Sequence, residues 1–156
     1  MRIYLVRHGD AVPEEEAGSD RDRWLSDKGR EHVRVLGRLL RENNVEPDTI
    51  LTSPLPRAVQ TGELIAQALD YLGIVTSLRS LEPSAHPRVA ANEIMGRSGS
   101  VIVVSHEPAI SSLGAFLMGR PAFPQFRTAQ CCAIEDGKPT FSIRPDLNVV
   151  QAFLLD

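Results

Sequence analysis

Two short runs, Ile3-Tyr4-Leu5-Val6 and Val101-Ile102-Val103-Val104, are apolar at every position and never alternate with polar residues. A strand of that kind has no face to offer water, so it belongs in a sheet covered on both sides, the habit of parallel sheets packed between helices. The intervening sequence has helices to supply. Gly29 to Asn43 carries Val33, Leu36 and Leu40 at helical spacing, with Val35 and Leu39 beside them, opposite Arg30, Glu31, Arg34, Arg38 and Arg41. Ser26 is placed to cap this helix and Asn43-Asn44 to stop it. Thr49 to Thr52 reads as a second strand, and Ser53-Pro54 as the cap and first residue of a helix through Ala58, Leu64, Ile65, Ala68 and Leu69. A third strand is expected near Ile74 to Leu78, a helix over Arg88 to Met95, and another opened by Pro108 and closed by Gly119 and Pro121. Ala129 to Ile134 and Thr140 to Ile143 are placed to pair as a hairpin across Asp136-Gly137. Glu14-Glu15-Glu16 reads as a solvated loop. The pattern predicts an α/β chain: a three-layer α/β/α sandwich whose central sheet is mostly parallel with an antiparallel edge, in one domain over residues 1–156.

The bulk properties bound the partners. A formal charge of −3 and a pI near 5.8 argue against a nucleic-acid or anionic-membrane surface, which needs a basic face. No apolar stretch reaches the roughly 20 residues of a membrane span, and the start lacks the organisation of a signal peptide, so a cytoplasmic protein is expected. The two cysteines, Cys131 and Cys132, are adjacent, which suits neither a disulfide framework nor a zinc site, and they read as buried strand residues.

In parallel sheets, ligands sit beyond the carboxyl ends of the strands. One strand here ends in Arg7-His8-Gly9, the second in Ser53-Pro54-Leu55-Pro56-Arg57 and the run at Val101 in Ser105-His106-Glu107-Pro108. Parallel strands would bring two arginines and two histidines to one edge. Arg57 falls in the first turn of a helix, where a cation faces the positive end of the macrodipole at a cost of roughly 0.3–1 kcal/mol. A bound anion reverses that sign, and guanidinium forks match phosphate oxygens. No carboxylate or cysteine stands at a metal-ligand spacing from His8 and His106, so the set fits an oxyanion better than a cation, with no metal or other cofactor. Fixed positive charge keeps one imidazole neutral and nucleophilic, ready to attack phosphorus, while the second histidine and the arginines stabilise the transferring oxygens. His32 and His86 read as incidental.

Arg7-His8-Gly9 after an N-terminal strand, Ser53-Pro54 with Arg57, and a late His106 resemble the histidine phosphatase superfamily, which shares its fold with phosphoglycerate mutases. Within it, RHGDA, LSDKG, LTSPLPRAVQT, SHEP and Phe126-Arg127-Thr128 resemble the bacterial SixA-type phosphohistidine phosphatases over nearly the whole chain. The resemblance implies His8 as nucleophile with its ring oriented by the Gly9 carbonyl, Arg7 and Arg57 as phosphate ligands, and His106 completing the pocket. It further implies a phosphorylated histidine-containing protein, such as a phosphotransfer domain, as partner. Longer ester-cleaving members use a carboxylate as proton donor, for which Glu82 is the nearest candidate; a phosphohistidine leaves as neutral imidazole and needs such an acid less. No long insertion is available to cap the strand ends, although Asp10 to Leu25 and Gly119 to Thr128 could serve as a lid. The alternatives are a phosphatase of small phosphate monoesters and a non-catalytic phosphate-binding module. Whether Arg120 and Arg127 contact substrate is left open by the sequence.

Overall fold

A computed structural model describes residues 1–153 and 155. In chain order the elements are β1 (Arg2–Arg7), α1 (Glu14–Ala17), α2 (Asp27–Glu42), β2 (Thr49–Thr52), α3 (Pro56–Ala68), β3 (Val75–Ser77), α4 (Pro87–Met95), β4 (Ser100–Ser105), α5 (Ala109–Met118), β5 (Cys131–Glu135), β6 (Lys138–Arg144) and β7 (Val149–Ala152), with a 3₁₀ turn at Arg79–Leu81. The strands form one sheet in the order β3-β2-β4-β1-β5-β6-β7. From β3 to β1 every pairing is parallel, and from β1 onward every pairing is antiparallel.

The unbroken apolar runs are the two central neighbours, β1 and β4, in register from Ile3 opposite Val101 to Val6 opposite Val104. Successive side chains point to opposite faces, so each run feeds both cores. Tyr4, Val6, Ile102 and Val104 join Val33, Leu36, Leu40, Ala58 and Ile65 of α2 and α3 on one face. Ile3, Leu5, Val101 and Val103 join Ala90, Ala91 and Ile94 of α4 and Ile110 and Leu113 of α5 on the other. Leu5, Val6 and the four apolar residues of β4 are fully buried, each worth about 1.5–3 kcal/mol of transfer free energy if a large aliphatic side chain. The result is the expected three-layer arrangement. The β5–β6 hairpin turns through Asp136 and Gly137, at φ 50° and 76°, as a two-residue hairpin turn of this twist requires. Cys131 and Cys132 are buried β5 residues, one on each face.

The start of α2 is locked to the loop after β1. Ser26 caps the helix by accepting from Gly29 N at 3.0 Å, and its hydroxyl donates to Asp10 Oδ2 at 2.6 Å. Gly29 lies so close to the Asp10 backbone that a Cβ would overlap the Asp10 carbonyl. Gly9 is equally constrained, since a Cβ there would meet Val33 Cγ2 at 2.8 Å. The second residue of this Gly9-Asp10 corner therefore rides on the helix that forms one wall of the core.

Three local readings are corrected and one strand is added. Helix α3 begins at Pro56 with Leu55 as its cap, because Ser53 is still held in the sheet by its N–H to Val104 O at 2.9 Å. Glu14–Ala17 is one helical turn rather than a loop; its three glutamates sit where the helix N-terminus favours negative charge. The strand expected from Ala129 begins at Cys131, since Ala129 is in the left-handed region (φ 61°) with its N–H shared between the carbonyls of Arg7 and His8. Strand β7, exposed along its length, had no apolar alternation to announce it.

Candidate active site

The parallel register brings Arg7 of β1, Ser53 after β2 and Ser105 of β4 level with one another at the carboxyl edge. Here lies a cleft of about 350 Å³ lined by Arg7, His8, Arg57 and His106 together with Asp10, Ala11, Asp20, Arg23, Pro83, Glu107 and Thr128. The loops after β1 and before β5, anticipated as lid segments, both contribute to its walls.

His8 is 7% exposed and anchored at two points: its N–H donates to Ser105 O at 3.0 Å and its Nδ1 lies 2.7 Å from Gly9 O. A carbonyl only accepts, so Nδ1 carries the hydrogen and Nε2 of the neutral ring keeps its lone pair. Burial pushes the imidazole down to about 4, the bond to Gly9 opposes that, and the charges of Arg57, Arg7 and Arg23 lower it further. Desolvation, rather than the positive charge expected from the sequence, is the larger cause. The Gly9 N–H donates to Thr61 Oγ1 at 3.0 Å, and Thr61 in turn donates to Arg57 O at 2.7 Å. The loop that carries His8 and the helix that carries Arg57 are thus tied together.

The His106 ring sits 4.9 Å from that of His8, tilted by 60°. Its Nε2 lies 2.7 Å from Ser53 Oγ, and its buried Nδ1 has no partner. Burial first, then His8 and the two arginines, push it down to about 2. Arg7 donates from Nη1 to Phe126 O at 2.8 Å, and Arg57 from Nη1 to Asp20 O at 2.7 Å, with Nη2 at 3.4 Å from the Asp20 carboxylate. Each leaves a buried Nε without a partner. Burial lowers the pKa of both guanidinium groups, which stay charged, and Glu107 and Asp20 respectively work against that shift. Two buried guanidinium groups with unpartnered donors, both lining one cleft, constitute an anion cradle.

Three participants carry no sequence signal of their own. Asp20 closes over Arg57 from an exposed loop. Glu107 accepts from Phe126 N at 2.5 Å and from Ser111 Oγ at 2.6 Å, while Arg7 holds the Phe126 carbonyl, so the loop before β5 is gripped at one residue from both sides. Ser53 had been read as a helix cap, and its contact with His106 spans 53 residues, beyond the reach of local pattern. Glu82 lies outside the residues lining the cleft, paired with Arg21 at 2.8 Å. Arg120 and Arg127 are also outside that lining. His86 caps α4 through Nδ1, accepting from Arg88 N at 3.1 Å, and His32 lies exposed on α2. The two thiols are protonated at neutral pH, Cys131 pushed well up and Cys132 pushed up to about 12, both chiefly by burial. Among the described residues no helix is long and apolar enough to cross a membrane.

This fold and this edge are those of one enzyme class. A family model of the histidine phosphatase superfamily (branch 1) matches residues 3–82, and the chain belongs to that superfamily. It is 32% identical over 152 residues to phosphohistidine phosphatase SixA of Escherichia coli (strain K12), with 91% of each chain covered. A solved structure of the protein histidine phosphatase SixA complexed with tungstate superposes with a TM-score of 0.86 at 28% identity, over 94% of this chain and 99% of that one. A phosphoserine phosphatase mutant from Entamoeba histolytica, in complex with phosphoserine, shares the fold at 15% identity and a TM-score of 0.67, over 89% of this chain and 93% of that one. By homology with SixA the chain is a hydrolase.

Proposed function

We propose that this chain is a metal-independent phosphohistidine phosphatase that acts on a phosphorylated histidine-containing protein, such as a phosphotransfer domain in a cytoplasmic signalling relay. The observation that carries the reading is the convergence, in one cleft, of a neutral His8 with its Nε2 lone pair available and two guanidinium groups with unpartnered buried donors. The relatedness to SixA and the tungstate bound by that relative, a tetrahedral oxyanion, support the same chemistry.

The phosphoryl group is held by Arg7 and Arg57, with His106 at a third oxygen. His8 Nε2 attacks phosphorus while the P–N bond to the substrate ring breaks; with the other nitrogen of that ring already protonated, the leaving nitrogen keeps the bond's electron pair and departs as neutral imidazole. Water then attacks the phosphoenzyme, the P–N bond to His8 breaks, and inorganic phosphate leaves with the water oxygen. His8 returns to its neutral form, its Nδ1 still bonded to Gly9 O. The cradle neutralises charge on the equatorial oxygens in both steps, without reorganisation, and one such donor is worth about 2.7–4 kcal/mol.

Glu82, engaged by Arg21 and outside the cleft lining, supports a leaving group that needs no carboxylic acid. An imidazole is such a group and an alkoxide is not. Phosphate release should therefore be fast from a phosphorylated photransfer-type histidine protein and slow from sugar and nucleotide monoesters, and Glu82→Gln should leave the first rate within about twofold. Faster turnover of the esters, with loss of that activity in Glu82→Gln, would replace this reading by that of a small-ester phosphatase.

A further inference from the structure

The contact between His106 and Ser53 fixes more than a ring position. Both residues are buried, at 2% and 0% exposure. Ser53 Oγ accepts from Leu55 N at 3.2 Å and lies 2.7 Å from His106 Nε2, and these are its hydrogen-bond partners among the described residues. A hydroxyl carries one hydrogen, and a buried hydroxyl hydrogen without an acceptor costs about 1–3 kcal/mol. The Leu55 amide can only donate, so among the described residues the acceptor for the Ser53 hydrogen is His106 Nε2. Nε2 must then present its lone pair, and the ring hydrogen of neutral His106 must reside on Nδ1. That nitrogen is buried and has no hydrogen-bond partner among the described residues.

We infer that Ser53 is a positioning residue that holds neutral His106 in its Nδ1–H tautomer, so that the ring offers a hydrogen-bond donor, rather than a lone pair, to an oxyanion in the cleft. The inference rests on the proposed reading of His106 as a hydrogen-bond donor to phosphate, and it deepens that reading by naming the ring nitrogen that carries the hydrogen. The burial-driven drop of the ring to about 2 keeps it uncharged at neutral pH. Without Ser53 the hydrogen is free to move to Nε2, which would turn the Nδ1 lone pair toward the anion and convert an attraction into a repulsion. The other tautomer is also the one imidazole side chains in water prefer, so the protein must impose this one. Leu55 contributes by occupying a second site on the serine oxygen, which orients the hydroxyl hydrogen away from its own backbone.

The tautomer is directly observable, because protonated and unprotonated ring nitrogens have well-separated nitrogen resonances. In the full chain labelled with nitrogen-15 histidine, the His106 signals, assigned by their loss in His106→Asn, should report Nδ1–H at neutral pH. Inorganic phosphate should perturb Nδ1 more than Nε2. An Nε2–H or imidazolium pattern in the wild-type chain would overturn the inference without reference to any variant. Ser53→Ala should mix the tautomers, lower kcat about 10- to 100-fold and change KM much less, whereas Ser53→Thr should restore both the Nδ1–H pattern and most of the rate. An unchanged His106 pattern in a folded Ser53→Ala protein would equally overturn it. If the tautomer is as stated but no phosphohistidine substrate is hydrolysed, the functional reading fails while the role of Ser53 stands.

Discussion

At the scale of single residues, the site works by keeping two histidines neutral beside two permanent cations. His8 is held near 4 mainly by burial, so its ring is uncharged across the physiological range, as the proposed nucleophile requires. The acid limb of kcat/KM, corrected for spontaneous substrate hydrolysis, should therefore fall near pH 4, not near the 6.5 of an ordinary histidine. The stability consequence has a definite sign. Between 6.5 and about 4 the unfolded chain binds a proton at this position that the native one refuses, so folding stability is highest above 6.5 and falls as pH drops through that window. The slope is at most about 1.4 kcal/mol per pH unit per such histidine. Far-UV circular dichroism across the same range separates unfolding from a true catalytic limb; a limb at 6.5 in a protein that stays folded would contradict the electrostatics. These residues were legible in the sequence because Arg7 ends a strand, His8 and His106 directly follow one, and Arg57 opens the helix after another. Ser53 and Asp20 were not legible in these roles, because their partners are set by tertiary approach rather than by spacing.

Among the elements, the junction of the β1 loop with α2 matters most for the site. Asp10 lines the cleft and is bonded through its carboxylate to the α2 cap, Ser26. Gly29, in the first turn of that helix, gives the Asp10 backbone room that no other residue would leave. In an exposed helix interior, Gly→Ala adds about 1 kcal/mol of stability through propensity alone. Here Gly29→Ala should instead destabilise by about 1–3 kcal/mol, the scale of an overpacked contact, as read from the urea midpoint. It should slow phosphate release as well, since the displaced Asp10 adjoins Gly9 and His8. A stabilised Gly29→Ala protein would show that the loop and helix are not locked. Helices α2 to α5 were legible from apolar spacing, whereas their boundaries shifted wherever backbone pairing outlasted a capping signal, as at Ser53. The turn at Glu14–Ala17 escaped because a single helical turn has too few positions to display a period.

For the whole molecule, the sheet order explains why distant sequence segments make one pocket. Placing β1 and β4 side by side, with β2 next to β4, sets Arg7, His106 and Arg57 at one edge although their positions are separated by 49 residues or more. The two unbroken apolar runs announced that centre, because only strands with two dry faces can afford them. The antiparallel extension was legible through the hairpin partner at Thr140 to Ile143, beyond which the exposed β7 shows no periodicity. The central claim is that the edge so assembled transfers a phosphoryl group to His8. Rapid quenching of the chain with a radiolabelled phosphohistidine protein tests it most directly. Label should appear on the chain during turnover as an acid-labile, base-stable phosphoramidate, and His8→Ala should carry none and release no phosphate. Turnover without a labelled chain, or label persisting in His8→Ala, would contradict it.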